Sequence, residues 1–230
     1  MLDLFWRMVK YNMRIIFANR FIWFLLAALA FYIFIAVTNV LDGQNLDDGF
    51  VYGLQIFPGL LLIFYPMTFG IQNDLDAGIL EILFGIPDYR YKVWLVRLIM
   101  VFLLVFLLMF GFTMLSSVLL VRVDLFDITS QVMFPVFFMG SMAFMFSTII
   151  KNGNGTAVVM VIIGVLLLML TNAFERTQWN VFLNPFEVPD RLNEMVWQSI
   201  ALKNRIFLSV GALVFILYGL FNLQKREKFI

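Results

Sequence analysis

The side chains of this chain that could do chemistry are carboxylates, ammonium groups and guanidinium groups, because it holds neither cysteine nor histidine. Disulfide and thiol chemistry are thereby excluded, and the commonest general base and metal ligand is missing. Glu175, Glu187, Asp190 and Glu194 make a loose acidic cluster. Their irregular spacing, without nitrogen or sulfur ligands, reads as a solvated segment rather than a metal site. A denser cluster fills residues 71–97, where Asp74, Asp76, Glu81 and Asp88 precede Arg90, Lys92 and Arg97. Neither cluster contains a nucleophile–base pair, so catalysis by this chain is the weakest reading. A phosphate loop ending in Gly-Lys-Ser/Thr is also missing. The nearest glycine pair, Gly153 and Gly155, is followed by neither Lys-Ser nor Lys-Thr.

The chemistry left to the denser cluster is recognition. Leu75, Ile79, Ile82, Leu83 and Ile86 recur at helical spacing and predict a short amphipathic helix over about 74–87. Asn73 or Asp74 is placed to cap its start, and Pro87 to end it. A helix this short and two-faced does not span a bilayer. It belongs at the membrane surface, where its apolar and acidic residues suit a groove on a partner.

The rest of the chain is written for lipid. Hydrophobic residues make up 63% and charged residues 13%, and the apolar runs reach the roughly 20 residues that a hydrocarbon core requires. Their length and uniform apolarity favour helices over the alternating strands of a barrel. The sequence therefore predicts an all-α, polytopic, single-domain membrane protein. Six spans fall at about 21–41, 50–72, 93–121, 131–150, 156–173 and 206–223, with Pro58 and Pro66 inside the second. Residues 1–20 set Arg7, Lys10, Arg14 and Arg20 among aromatic and aliphatic residues, the pattern of an interfacial amphipathic helix rather than a cleaved leader. Short polar turns are read at 42–49, at 122–130 and at 151–155, where the glycines suit positive φ. The longest polar stretch, 174–205, is an outer segment punctuated by Pro185 and Pro189.

With both termini on one side, that side carries eleven of the sixteen Lys and Arg residues, and the opposite side five. By the positive-inside rule the termini and residues 71–97 are cytoplasmic. Polar residues within the spans are Asn39, Gln55, Thr68, Thr113, Ser116, Ser117, Ser147, Thr148 and Asn172. Helix–helix hydrogen bonds account for them better than substrate ligation does. No acid or base is read deep in a span, which argues against a proton- or ion-coupled carrier.

Residues 74–92 resemble the membrane subunits of ABC-2-type ATP-binding-cassette transporters. These carry, between their second and third helices, an acidic lead, a Gly-Thr-Leu-Glu-like motif, leucines, a proline and a basic residue. Asp74 and Asp76 match the lead. Gly78, Ile79, Leu80 and Glu81 match the motif, with Ile79 in place of threonine, and Ile82 and Leu83 follow. Pro87 matches the proline, and Arg90 or Lys92 the basic residue. The resemblance implies a coupling helix seated on a separate ATP-binding cassette subunit, which would hold ATP and magnesium. This chain would bind no cofactor of its own. The resemblance also implies an exporter permease, paired with a second copy or a related permease in a bacterial cytoplasmic (inner) membrane. Asp74, Asp76, Gly78, Ile79, Glu81, Ile82, Leu83, Pro87 and Arg90 would meet the partner subunit. Membrane lipids are the other expected contact, and nucleic acid is not one. The competing reading is a polytopic scaffold or assembly protein without a transport path.

Overall fold

A computed structural model describes residues 21–42, 46–76, 90–189 and 192–223. The interfacial helix expected at 1–20, residues 77–89 of the expected coupling helix and the basic tail at 224–230 lie outside the described residues.

The apolar runs become six helices, each long and apolar enough to cross a membrane: α1 (Phe21–Leu41), α2 (Asp48–Asp76), α3 (Val96–Leu119), α4 (Leu125–Ile150), α5 (Gly153–Leu170) and α6 (Glu194–Asn222). The described residues are mostly helical, with no strand among them. The protein is thus an integral, multi-pass membrane protein. One turn of π-helix, Arg90–Leu95, leads into α3.

Local caps explain where several helices begin. Asp47 accepts from the backbone N–H of Phe50, at 2.7 Å, in the first turn of α2. Asp124 accepts from Phe126 and Asp127, at 3.0 and 2.8 Å, so α4 begins at Leu125 rather than near 131. The stretch that reads as a polar turn is in fact its first turns. Asn152 accepts from Gly155 at 3.0 Å and starts α5 at Gly153, three residues ahead of the sequence boundary. Lys151, not a glycine, takes the left-handed conformation (φ 60°) that closes α4. Asn193 caps Met195 at 3.2 Å, and α6 then runs unbroken to Asn222. It absorbs residues 194–205, which composition alone had given to the outer segment.

Burial ranks the helices. In α2 and α4, 56% and 61% of the most apolar window is buried, against 22% in α1 and 17% in α5. α4 is the hub, packing most extensively on α2 and α6. Small residues let these pairs approach closely. A Cβ on Gly59 of α2 would lie 2.7 Å from Val136 Cγ2, and one on Gly140 of α4 would lie 2.5 Å from Ile63 Cγ1. α1 lies along α2 through aromatic contacts, Phe24 with Tyr65 and Phe31 with Phe57, at 5.1 and 4.3 Å between ring centres.

Candidate functional site

The up-and-down order of the helices gathers six helix ends at one face of the bundle: the start of α1, the end of α2, the start of the π turn, the end of α4, the start of α5 and the end of α6. The described residues that flank 77–89, Asp76 and Arg90, are both at this face. Asp74 and Asp76 lie in the last turn of α2, and Arg90 opens the π turn. Gly78, Ile79, Glu81, Ile82, Leu83 and Pro87 lie outside the described residues. The expected cap at Asn73 does not form. α2 runs through this residue without a break to Asp76, and the Asn73 amide donates to the Tyr65 hydroxyl at 3.4 Å. An α-helix that continues past residue 73 has no free first turn there for Asn73 or Asp74 to cap.

The helix ends at this face are firmly joined. Gln72, one turn before the end of α2, accepts from the Gly153 N–H at the start of α5. That joint requires a glycine, because a Cβ on Gly153 would lie 2.3 Å from Phe69 Cδ1. Asn222 at the end of α6 donates to the Thr148 carbonyl of α4 at 2.7 Å. Trp94 is 2% exposed and Ile71 1%. The Arg97 guanidinium lies 4.8 Å from the centre of the Trp94 ring, a cation–π distance. Arg97 is buried in the first turn of α3, at the end of the span rather than deep within it. A planar aromatic face makes the burial tolerable.

Of the polar residues read inside the spans, Gln55, Thr113, Ser116 and Thr148 join helices, while the Thr68 hydroxyl is buried with no hydrogen-bond partner among the described residues. Tyr32 of α1 and Ser116 of α3 share a hydrogen bond of 2.7 Å. Thr113 donates to Gln55 of α2 at 3.0 Å and pairs with Thr129 of α4 at 2.8 Å. Thr148 receives the Asn222 amide. Asn39 and Ser147 instead bond to carbonyls of their own helices. Among the described residues no group of three or more acids could hold a metal ion.

Sequence reasoning missed the opposite face. There Arg205 is 6% exposed and Asn204 fully buried. Arg205 Nε donates to Gln131 Oε1 at 2.8 Å, Nη1 to Asn204 Oδ1 at 2.8 Å, and Nη2 to the Leu183 carbonyl at 3.3 Å. Its Nη2 also lies 3.4 Å from the Tyr52 hydroxyl. The guanidinium sits 5.4 Å from the Phe134 ring centre and 5.8 Å from that of Tyr52. Gln131 and Asn204 were the available signal: polar residues at either edge of an apolar run, whose inward direction appears only once α4 and α6 are extended.

A third feature is apolar. An open groove of about 360 Å³ runs between α1, α2, α4 and α5, lined by residues that include Phe24, Phe57, Phe64, Met139, Val161 and Leu168. Compared with known proteins, the chain matches no family model, no curated protein and no solved structure.

Proposed function

We propose that this chain is the membrane subunit of an ATP-driven exporter of the ABC-2 type. The observation that carries the reading is the acidic lead, Gly-Ile-Leu-Glu motif, proline and basic residue of positions 74–92, which begin in the last turn of α2 and end in the π turn before α3. The fold supports it by what stands behind that stretch. α2 is largely buried and is pinned to α5 through Gln72 and Gly153. A push on residues 77–89 would therefore reach the whole bundle rather than one loose hairpin.

On this reading Asp74, Asp76, Gly78, Ile79, Glu81, Ile82, Leu83, Pro87 and Arg90 meet an ATP-binding cassette subunit, and ATP with magnesium binds and is hydrolysed there. Two copies of the chain, or one copy and a related permease, line the path between them. The face carrying Gln72 and residues 77–89 is cytoplasmic, as the excess of Lys and Arg directs, in a bacterial inner membrane. ATP-driven closure of the partner subunits favours one of two bundle conformations, and transport follows from that difference in affinity.

The test is co-purification in mild detergent. A wild-type chain should bring down an ATP-hydrolysing subunit, and a Glu81→Arg, Leu83→Asp double variant should not. If neither form recovers such a subunit under any condition, the exporter reading fails and a scaffold without transport takes its place.

A further inference from the structure

Between α5 and α6, residues 171–189 contain no long helix, yet they are not a loose solvated loop. Val181 is 5% exposed and Leu183 1%, and the segment is held to the bundle through its own backbone. The Asn204 amide donates to the carbonyls of Gln178 and Asn180, at 2.9 and 2.8 Å. Arg205 and the Tyr52 hydroxyl both donate to the Leu183 carbonyl, at 3.3 and 2.9 Å. Trp197 Nε1 donates to the Pro185 carbonyl at 3.2 Å. All these donors are side chains of α2 and α6, and all the acceptors are main-chain carbonyls of the segment.

Arg205 is the centre of this arrangement. A guanidinium taken out of water must have its donors filled, and a carboxylate is the usual partner. Here each acceptor that the described residues give Arg205 is neutral: Gln131 from α4, Asn204 from its own helix, Tyr52 from α2 and the Leu183 carbonyl. One side chain thus ties three helices and the segment together without an opposite charge. Its position at the end of the bundle also makes the closure reversible. If the segment lifts, the cation and the freed carbonyls are solvated by water, with no ion pair to break.

We propose that residues 176–189 form a strap clamped shut over this end of the bundle by Arg205, and that loss of the Arg205 contacts opens the strap as a unit while the six helices stay packed. Because Arg205 also bonds to Gln131 and Tyr52, a shift of α6 against α2 and α4 would release the strap. This holds whether or not the chain is a transporter.

The chain contains no native cysteine, so single reporters can be placed without background. In the full chain, in membrane fragments open to both faces, Leu183→Cys reports on the strap and Val136→Cys, a fully buried α4 position, on the bundle. Val188→Cys, at a position 41% exposed, controls for reagent access. Reaction with a membrane-impermeant maleimide should be slow at position 183 in the otherwise wild-type chain. Arg205→Leu should speed it about tenfold or more, since hydrogen bonds to a charged group are the strong ones. The near-isosteric Tyr52→Phe should give a smaller rise and serves if the arginine variant does not accumulate. Positions 136 and 188 should keep their rates. Unchanged labelling at 183 in the variants, or a rise only in step with position 136, would overturn the strap.

Discussion

Gln55 shows how little polarity the bundle tolerates. It is fully buried. Its Oε1 accepts from Thr113, while its Nε2 meets no hydrogen-bond partner among the described residues. Removing the amide loses one interhelical hydrogen bond, worth about 0.6 kcal/mol on average between membrane helices, and relieves one unsatisfied donor. Gln55→Met should therefore change stability by less than about 1 kcal/mol. Gln55→Glu, which puts an ionisable group in the same place, should lower the unfolding temperature clearly. Thermal unfolding of the two variants in one detergent decides this, and a Met variant as unstable as the Glu variant would contradict it. The glycines give a matching pair. Gly140→Leu drives a side chain into Ile63 and Phe102 and should cost about 1–3 kcal/mol. Gly111→Ala meets nothing within 4 Å and should be neutral or stabilising by up to about 1 kcal/mol. The sequence indicated which polar residues sit in spans, but not the direction each faces. Thr113 and Ser116 reach across to other helices, whereas Asn39 turns back on its own.

Among the elements, helix existence was legible and helix ends were not. A run of 18 or more apolar residues has one economical conformation in lipid, so all six spans could be read from composition. Composition failed where a polar residue lies inside a helix because its partner is also inside. Thr129 and Gln131 make the start of α4 look like a turn, yet they face Thr113 and Arg205. Asn204 and Arg205 did the same to α6. The pattern over 74–87 predicted a new helix start at Asn73 or Asp74, whereas α2 runs through both to Asp76. The α4–α5 turn rests on Asn152 and Gly153. Asn152→Ala removes a cap and should cost about 1 kcal/mol. Gly153→Ala should cost at least as much and should loosen the start of α5 from α2, because Phe69 and the Gln72 side chain occupy the space. Thermal unfolding checks both, with faster hydrogen exchange at the start of α5 expected in the Gly153 variant.

For the molecule as a whole, the two faces of the bundle are chemically distinct. The face with Tyr52 and Arg205 carries the acids Asp42, Asp47, Asp48, Asp124, Asp127, Glu175, Glu187 and Glu194 against Arg122, Arg176, Lys203 and Arg205, and the Gln72 face carries Arg90, Lys92, Arg97 and Lys151 against Asp74 and Asp76. Intact cells expressing single-cysteine chains should therefore show Asp47→Cys reacting with an impermeant maleimide from outside, and Lys151→Cys reacting only after lysis. The reverse pattern would invert the proposed orientation and separate residues 77–89 from any cytoplasmic ATPase.

The helices also differ in length. α5 has 18 residues, whereas α2 and α6 have 29 each. At 1.5 Å per residue α5 reaches about 27 Å and the other two about 43 Å, around a hydrocarbon core of about 30 Å. α2 and α6 reach past that core through polar ends, residues 72–76 in one and 194–205 in the other, whereas α5 falls a few ångströms short, so the mismatch lies at α5, on the side where the apolar groove opens. Acyl-chain length then becomes a control variable. Reconstituted into bilayers of graded thickness, the protein should be most stable in the thinner ones, and each added pair of methylenes should press first on α5.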